Sequence, residues 1–279
     1  MITASTLQSR PLAQAASSGP VPALDAGEAL AVCAGNLENS VPLVAGGTDW
    51  TFEDADGGRY LAAELRPLTD DVSQGPGAIG YKKDETRLFA VPVAGPNRWG
   101  QVPAWIVGRN GQREYLLQAR LLERGQALFA PGVAAGDCAD RLRAAERSAR
   151  TARIGGWTGA AGVAVFSSVQ PDAFTGHEGR YVIARGRLVS LGKTAATRYL
   201  NFGRHWKTDL TATFKSAEED TFNAALRRNG HTVGDLEGCE VEVRGVLQEW
   251  DGPYIALQHP EQLVVIEGKR AGRGGQNGN

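Results

Sequence analysis

Four arginines, Arg143, Arg147, Arg150 and Arg153, recur at three- and four-residue spacing within residues 137–154. On a helix that spacing puts them along one face. Such a stripe fits contacts to phosphate, and it equally fits an ordinary solvated face. A second group is aromatic: Trp206, Trp250 and Tyr254, with Arg198 and Tyr199 earlier in the chain. Exposed rings at the mouth of a small barrel stack on nucleobases, and rings in a hairpin also pack the hairpin itself. A third group is acidic: Asp49, Glu53, Asp54, Glu64, Asp70 and Asp71, with Arg59 and Arg66 among them. Convergent carboxylates are what a calcium ion needs. Three cysteines, Cys33, Cys138 and Cys239, form no CxxC pair. They allow at most one disulfide, leave its partners open and make no zinc site. His259 before Pro260 reads as a turn or cap residue, and His205 and Lys207 as loop residues.

The elements that must position these groups are short. Residues 1–40 are rich in Ala, Ser, Gly and Pro and read as a flexible leader with a short helix at 25–34. Strand-like pieces separated by turns follow, with Asp56-Gly57-Gly58 as a hairpin signal. Residues 69–83 read as a loop. Strands return at 87–93 and 102–107, closed by a turn at Arg109-Asn110-Gly111. Helices are expected at 116–122 and at 137–154, the latter stopped by Gly155-Gly156. Residues 158–179 read as a linker with one apolar anchor, Val163-Ala164-Val165-Phe166. Alternating strands at 181–191, 197–202 and 210–214 precede a helix at 218–228. A hairpin of 240–249 with 254–258 turns at Trp250-Asp251-Gly252-Pro253, and 263–267 closes the set. Three strands, a helix and two strands is the order of an oligonucleotide-binding (OB) barrel, whose helix fills the gap between strands three and four. Residues 269–279 read as a disordered tail. The expected fold class is mainly β with α: two OB-type barrels, at 41–157 and 180–268, the first ending in a helix. No internal repeat of short period is visible.

The length of 279 residues suits two domains, and the 42% hydrophobic fraction can build cores for both. No apolar run reaches the length of a transmembrane helix, so membrane insertion is not expected. The net charge is −1, but it is uneven. Residues 1–97 carry 6 basic against 12 acidic groups, 98–153 carry 10 against 5, and 178–268 carry 11 against 13. Any contact with nucleic acid is therefore a local patch rather than a global field. The first residues carry neither a basic segment nor a continuous apolar run. Ala13-Gln14-Ala15 looks like the end of a signal peptide, so export to the periplasm is expected if the native start lies upstream, and a cytoplasmic location otherwise.

Asn97-Arg98-Trp99-Gly100-Gln101, then Gly111, Leu116-Leu117 and Arg124-Gly125-Gln126-Ala127, resembles the middle of a staphylococcal-nuclease (thermonuclease) domain. Leu142, Ala145-Glu146, Ala149-Arg150 and Ile154-Gly155-Gly156-Trp157 resemble its last helix. Tyr199-Leu200-Asn201-Phe202-Gly203 and His259-Pro260-Glu261-Gln262 resemble the OB-like domain attached to some members. The resemblance implies calcium-dependent phosphodiester hydrolysis by carboxylates, a glutamate and two arginines. In this chain those positions fall on Gly47, Tyr60, Leu65, Leu68 and Gln101. None has the chemistry required, so no catalytic or metal-binding residue is expected and no cofactor, with Ca²⁺ entering only if the site is rearranged. Three functions follow as expectations. The first is binding of single-stranded DNA or RNA by a degenerate nuclease scaffold, through Arg143, Arg147, Arg150, Arg198, Tyr199, Trp206, Trp250 and Tyr254. The second is a calcium-dependent nuclease with a rearranged site. The third is a structural protein of the cell envelope that binds a protein partner.

Overall fold

Turn chemistry sets the first sheet. A computed structural model describes residues 26–46, 50–68, 87–158, 165–205 and 207–268. Helix α1 (Ala26–Cys33) is followed by β1 (Val41–Leu43), β2 (Ala45–Gly46), β3 (Thr51–Glu53) and β4 (Arg59–Ala62). The Asp54 carboxylate accepts the amides of Asp56 and Gly58 at 3.0 and 2.7 Å, which ties the β3–β4 hairpin where Asp56-Gly57-Gly58 predicts it. Next come β5 (Leu65–Arg66), β6 (Arg87–Pro92), β7 (Gln101–Asn110) and β8 (Arg113–Leu116). The run 104–108 of β7 is buried throughout. Helix α2 (Leu117–Glu123), strand β9 (Leu128–Phe129) and helix α3 (Gly136–Thr151) complete the first unit.

The second unit holds β10 (Val165–Ser167), β11 (Tyr181–Arg187), β12 (Ser190–Lys193), β13 (Thr197–Asn201), β14 (Thr211–Lys215), α4 (Glu219–Arg227), β15 (Glu240–Glu249), β16 (Pro253–Ala256) and β17 (Leu263–Glu267). The molecule is mainly β with a few helices, and its sheets are curled, with a half-barrel among them. One pairing scheme recurs. In the first sheet β2, β3 and β4 form a meander, β4 runs parallel to β7, and β7 and β1 flank β6 antiparallel. In the second, β12, β13 and β14 form the meander, β14 runs parallel to β16, and β16 and β11 flank β15 antiparallel. Each unit has its own apolar core, with Phe52, Ile106, Leu121 and Phe129 in one and Phe214, Phe222, Val243 and Ile255 in the other.

Three boundaries differ from the sequence reading. The short helix expected at 25–34 is present as α1, but the stretch is no flexible leader there: Ala29, Leu30 and Ala34 are buried in the first core, and Cys33 is disulfide-bonded to Cys138 of α3. The stretch read as a linker contributes β10, which pairs in parallel with β11, and a short turn, Pro171–Phe174, that buries Phe174. Helix α3 ends three residues early because Arg153 takes the left-handed conformation (φ 53°). Gly155 instead serves a close approach: a Cβ there would lie 2.3 Å from the Arg124 carbonyl, just as one on Gly125 would lie 2.1 Å from that of Ile154. Residues 1–25, 69–86 and 269–279, which include the stretches expected as a loop (69–83) and a disordered tail, lie outside the described residues. Among the described residues, no helix is long and apolar enough to cross a membrane.

Candidate functional site

Helix α3 repeats Ala139, Leu142, Arg143, Glu146, Ala149 and Arg150 on one face, and all but the half-buried Arg150 are buried. Arg143, Glu146 and Arg150 reach the second unit, while Ala139 and Leu142 pack in the first core. Glu146 receives both arms of Arg244 from β15 at 2.9 and 3.2 Å, and Arg244 also donates to the Phe129 carbonyl at 2.7 Å. Glu242, two residues away on the same face of β15, contacts Arg244 and takes Arg150 at 3.2 Å and Arg185 at 2.6 Å. Arg143 donates to Glu261 at 3.0 Å, and Arg228 reaches the same carboxylate at 2.7 Å. Burial pushes the Glu242 carboxyl up, but Arg244, Arg150 and Arg185 outweigh it and hold it well below the usual range. Burial likewise works against the charge on Arg244, and Glu146 and Glu242 more than restore it. The arginine stripe therefore splits. Arg143 is 4% exposed and paired with Glu261, Arg150 is partly exposed and paired with Glu242, and Arg147 and Arg153 face solvent.

Among the described residues, the positions marked by the nuclease resemblance form no cluster of charged groups. Tyr60 donates its hydroxyl to Asp54 at 3.0 Å, and Gln101 is bonded to Asn97 at 3.0 Å. These two lie on adjacent parallel strands, where Tyr60 pairs with Val102 and Arg59 with Gln101. Leu65 is buried in the β5–β9 pair, and Leu68 packs beside Gly156. Gly47 lies outside the described residues, as do Asp49, Asp70 and Asp71. Among the described residues, no group of three or more His, Cys, Asp and Glu is placed to hold a metal ion. The buried carboxylate nearby has a different task. Glu64, in the left-handed region (φ 68°), accepts the amides of Gly132, Val133 and Ala134 at 3.0, 2.8 and 3.1 Å. Burial outweighs those three amides and raises its carboxyl to about 7.

The aromatic residues fall into two places. Leu200, Ala212 and Ile255 point into the second core, so Tyr199 and Tyr254, in alternate register, share the opposite face of β13, β14 and β16. The Tyr254 hydroxyl is 2.5 Å from that of Thr213. Trp250 tops the β15–β16 hairpin and is 77% exposed. Asp251 and Gly252 make that turn with φ of 54° and 123°. A cavity of about 160 Å³ opens at its root, between Phe174, Glu178, Lys207, Gln248 and Pro253. Arg198 points to the core side and pairs with Glu219 of α4 at 3.2 Å, so it is withdrawn from this face. Trp206 lies outside the described residues.

No family model matches this sequence, and no curated protein matches it. Among solved structures the chain is similar to the OBody AM1L10 bound to hen egg-white lysozyme. That likeness has 14% identity and a TM-score of 0.23, and covers 35% of this chain and 85% of the other.

One further residue belongs with the aromatic group. Trp99 tops the β6–β7 hairpin and is 61% exposed, with the Arg98 guanidinium 3.9 Å from its ring centre. Asn97 fixes that tip by accepting the amides of Trp99 and Gln101 at 2.9 and 3.0 Å, and Gly100 supplies a φ of 74°. The β6–β7 and β15–β16 hairpins occupy the same place in the recurring pairing scheme, so each unit presents one tryptophan at the equivalent tip. In the sequence Trp99 stands only as part of a motif, because the duplication lies in the pairing and not in the residues.

Proposed function

We propose that this chain is a non-catalytic binding protein for single-stranded nucleic acid, built on a degenerate thermonuclease-like unit followed by an OB-type unit. The observation that carries the reading is the pair of exposed tryptophans, Trp99 and Trp250, at equivalent hairpin tips. An indole held on a rigid tip loses little freedom when a base stacks on it, and such stacking tolerates any sequence. The strand pairing of each unit supports the OB-type reading, with α4 between the third and fourth strands of the second unit. The family's catalytic positions supply no carboxylate: Tyr60, Leu65, Leu68 and Gln101 are occupied in packing and hairpin bonds. Asp54 is engaged by its own turn and Glu64 by backbone amides, which counts against a rearranged calcium site.

A second reading, a protein partner, is favoured by one observation. Glu249 and Asp251 flank Trp250 and would repel phosphate there. The experiment that separates the readings incubates the protein with a labelled single-stranded oligonucleotide, with Ca²⁺ and with chelator. Salt-dependent retention of intact oligonucleotide in both conditions is the expected outcome. Cleavage that requires Ca²⁺ would establish the nuclease. Neither binding nor cleavage would leave the protein-partner reading.

A further inference from the structure

We infer that α1 is a redox-releasable strap, held on the first unit by the Cys33–Cys138 disulfide and freed when that bond is reduced. Helix α1 has eight residues, fewer than the roughly 12–15 at which an isolated helix becomes even marginal in water. It packs on β8, α3 and α2. Its apolar footing is small: Ala29 and Leu30 in the helix and Ala34 just after it are buried, with Cys33 and Leu37 packed alongside, while Ala31 and Val32 face solvent. Beyond that footing, Glu28 pairs with Arg141 of α3 at the surface, and exposed pairs of this kind hold little. The covalent bond to α3 is thus the strongest tie, closing a loop of 105 residues in sequence.

The chemistry is self-contained. Cys138 is 6% exposed and Cys33 is half-buried, so a reductant meets the bond from the Cys33 side. A dithiol such as dithiothreitol delivers two electrons and two protons. The Cys33 Sγ–Cys138 Sγ bond breaks, two thiols form, and the dithiol closes into its own disulfide. The third cysteine does not compete, because Cys239 is buried in the second core and donates its thiol to the Asp235 carbonyl at 3.4 Å. The rest of α3 keeps its hold. Leu142, Ala145 and Ala149 are buried, and Glu146 and Arg143 stay bonded across the junction. Release therefore uncovers the face formed by β8, α2 and α3 without unfolding it.

Amide hydrogen exchange of the full chain, read by mass spectrometry before and after dithiothreitol, tests this, with thiol labelling confirming that Cys33 and Cys138 are reduced. Exchange across 27–34 should rise roughly tenfold or more, the signature of local opening, while 101–116 and 142–151 keep their protection. The Cys33→Ser, Cys138→Ser double variant should reproduce the reduced pattern. Leu30→Ala, with the bond intact, should keep 27–34 more protected than the reduced parent. Unchanged protection of 27–34 in the fully reduced protein would overturn the strap. Loss of protection across the whole first unit would overturn it too, making the bond a global staple.

Discussion

At Glu64 a carboxylate lies under three backbone amides, and its burial still raises it to about 7 from the ordinary 4.5. Protonation therefore favours the fold. The contribution is complete below the ordinary carboxylate value and is lost as pH rises through about 7, on the order of 3 kcal/mol in all. Glu242 has the opposite sign: its arginines hold it low, so its contribution is present above the ordinary range and is lost as the solution turns acid. Thermal melts at pH 5 and pH 8 should show Glu64→Gln closing most of the gap between them. A gap of unchanged size in the variant would mean that Glu64 stays ionised. These roles were hidden in the sequence for a physical reason. Arg143 and Arg150 share their helical face with Glu146, and a face of mixed charge reads equally well as solvated or as a salt-bridged junction. Glu242 and Arg244 alternate with the core residues Val241 and Val243, as solvent-facing residues do, until α3 covers them.

At the scale of elements, the strands were legible where alternation or a turn announced them. The spans of β15 and β17 match their expected limits, and the Asp56-Gly57-Gly58 and Trp250-Asp251-Gly252 turns sit where their chemistry puts them. The two-residue β5–β9 pair carries no period to detect. Helix α1 lies where a short helix is expected, but its docking was not legible, because the bond that ties it down joins a residue 105 positions away and has no local signal. The meeting of Gly125 and Gly155 is likewise tertiary, each backbone filling the space a side chain would need. Gly125→Ala should destabilise the protein by at least about 2 kcal/mol, since the new Cβ would strike a backbone carbonyl at a residue already in the left-handed region. Denaturant unfolding measures this. A loss below about half a kcal/mol would mean that α2 and the turn after α3 can separate freely.

In the whole molecule, the junction joins two units of like pairing through ion pairs that run between them, Arg244–Glu146, Arg150–Glu242 and Arg143–Glu261. Arg244→Met alone strands Glu146 and should cost about 3–5 kcal/mol, whereas pairing it with Glu146→Leu should restore much of that loss. Calorimetry of the two variants reads the difference, and equal destabilisation would mean that the ions are not coupled. Under the proposed function, the two hairpin tips would carry the binding. The tryptophan tips are best tested by fluorescence-anisotropy titration of a labelled single-stranded oligonucleotide with the parent and with Trp250→Ala and Trp99→Ala. Stacking of a base on each indole is worth roughly 1–3 kcal/mol. Each replacement should then raise Kd by about one to two decades and leave the thermal midpoint nearly unchanged. Equal affinity in all three proteins, or no binding by the parent at low salt, would contradict a nucleic-acid site on these hairpins.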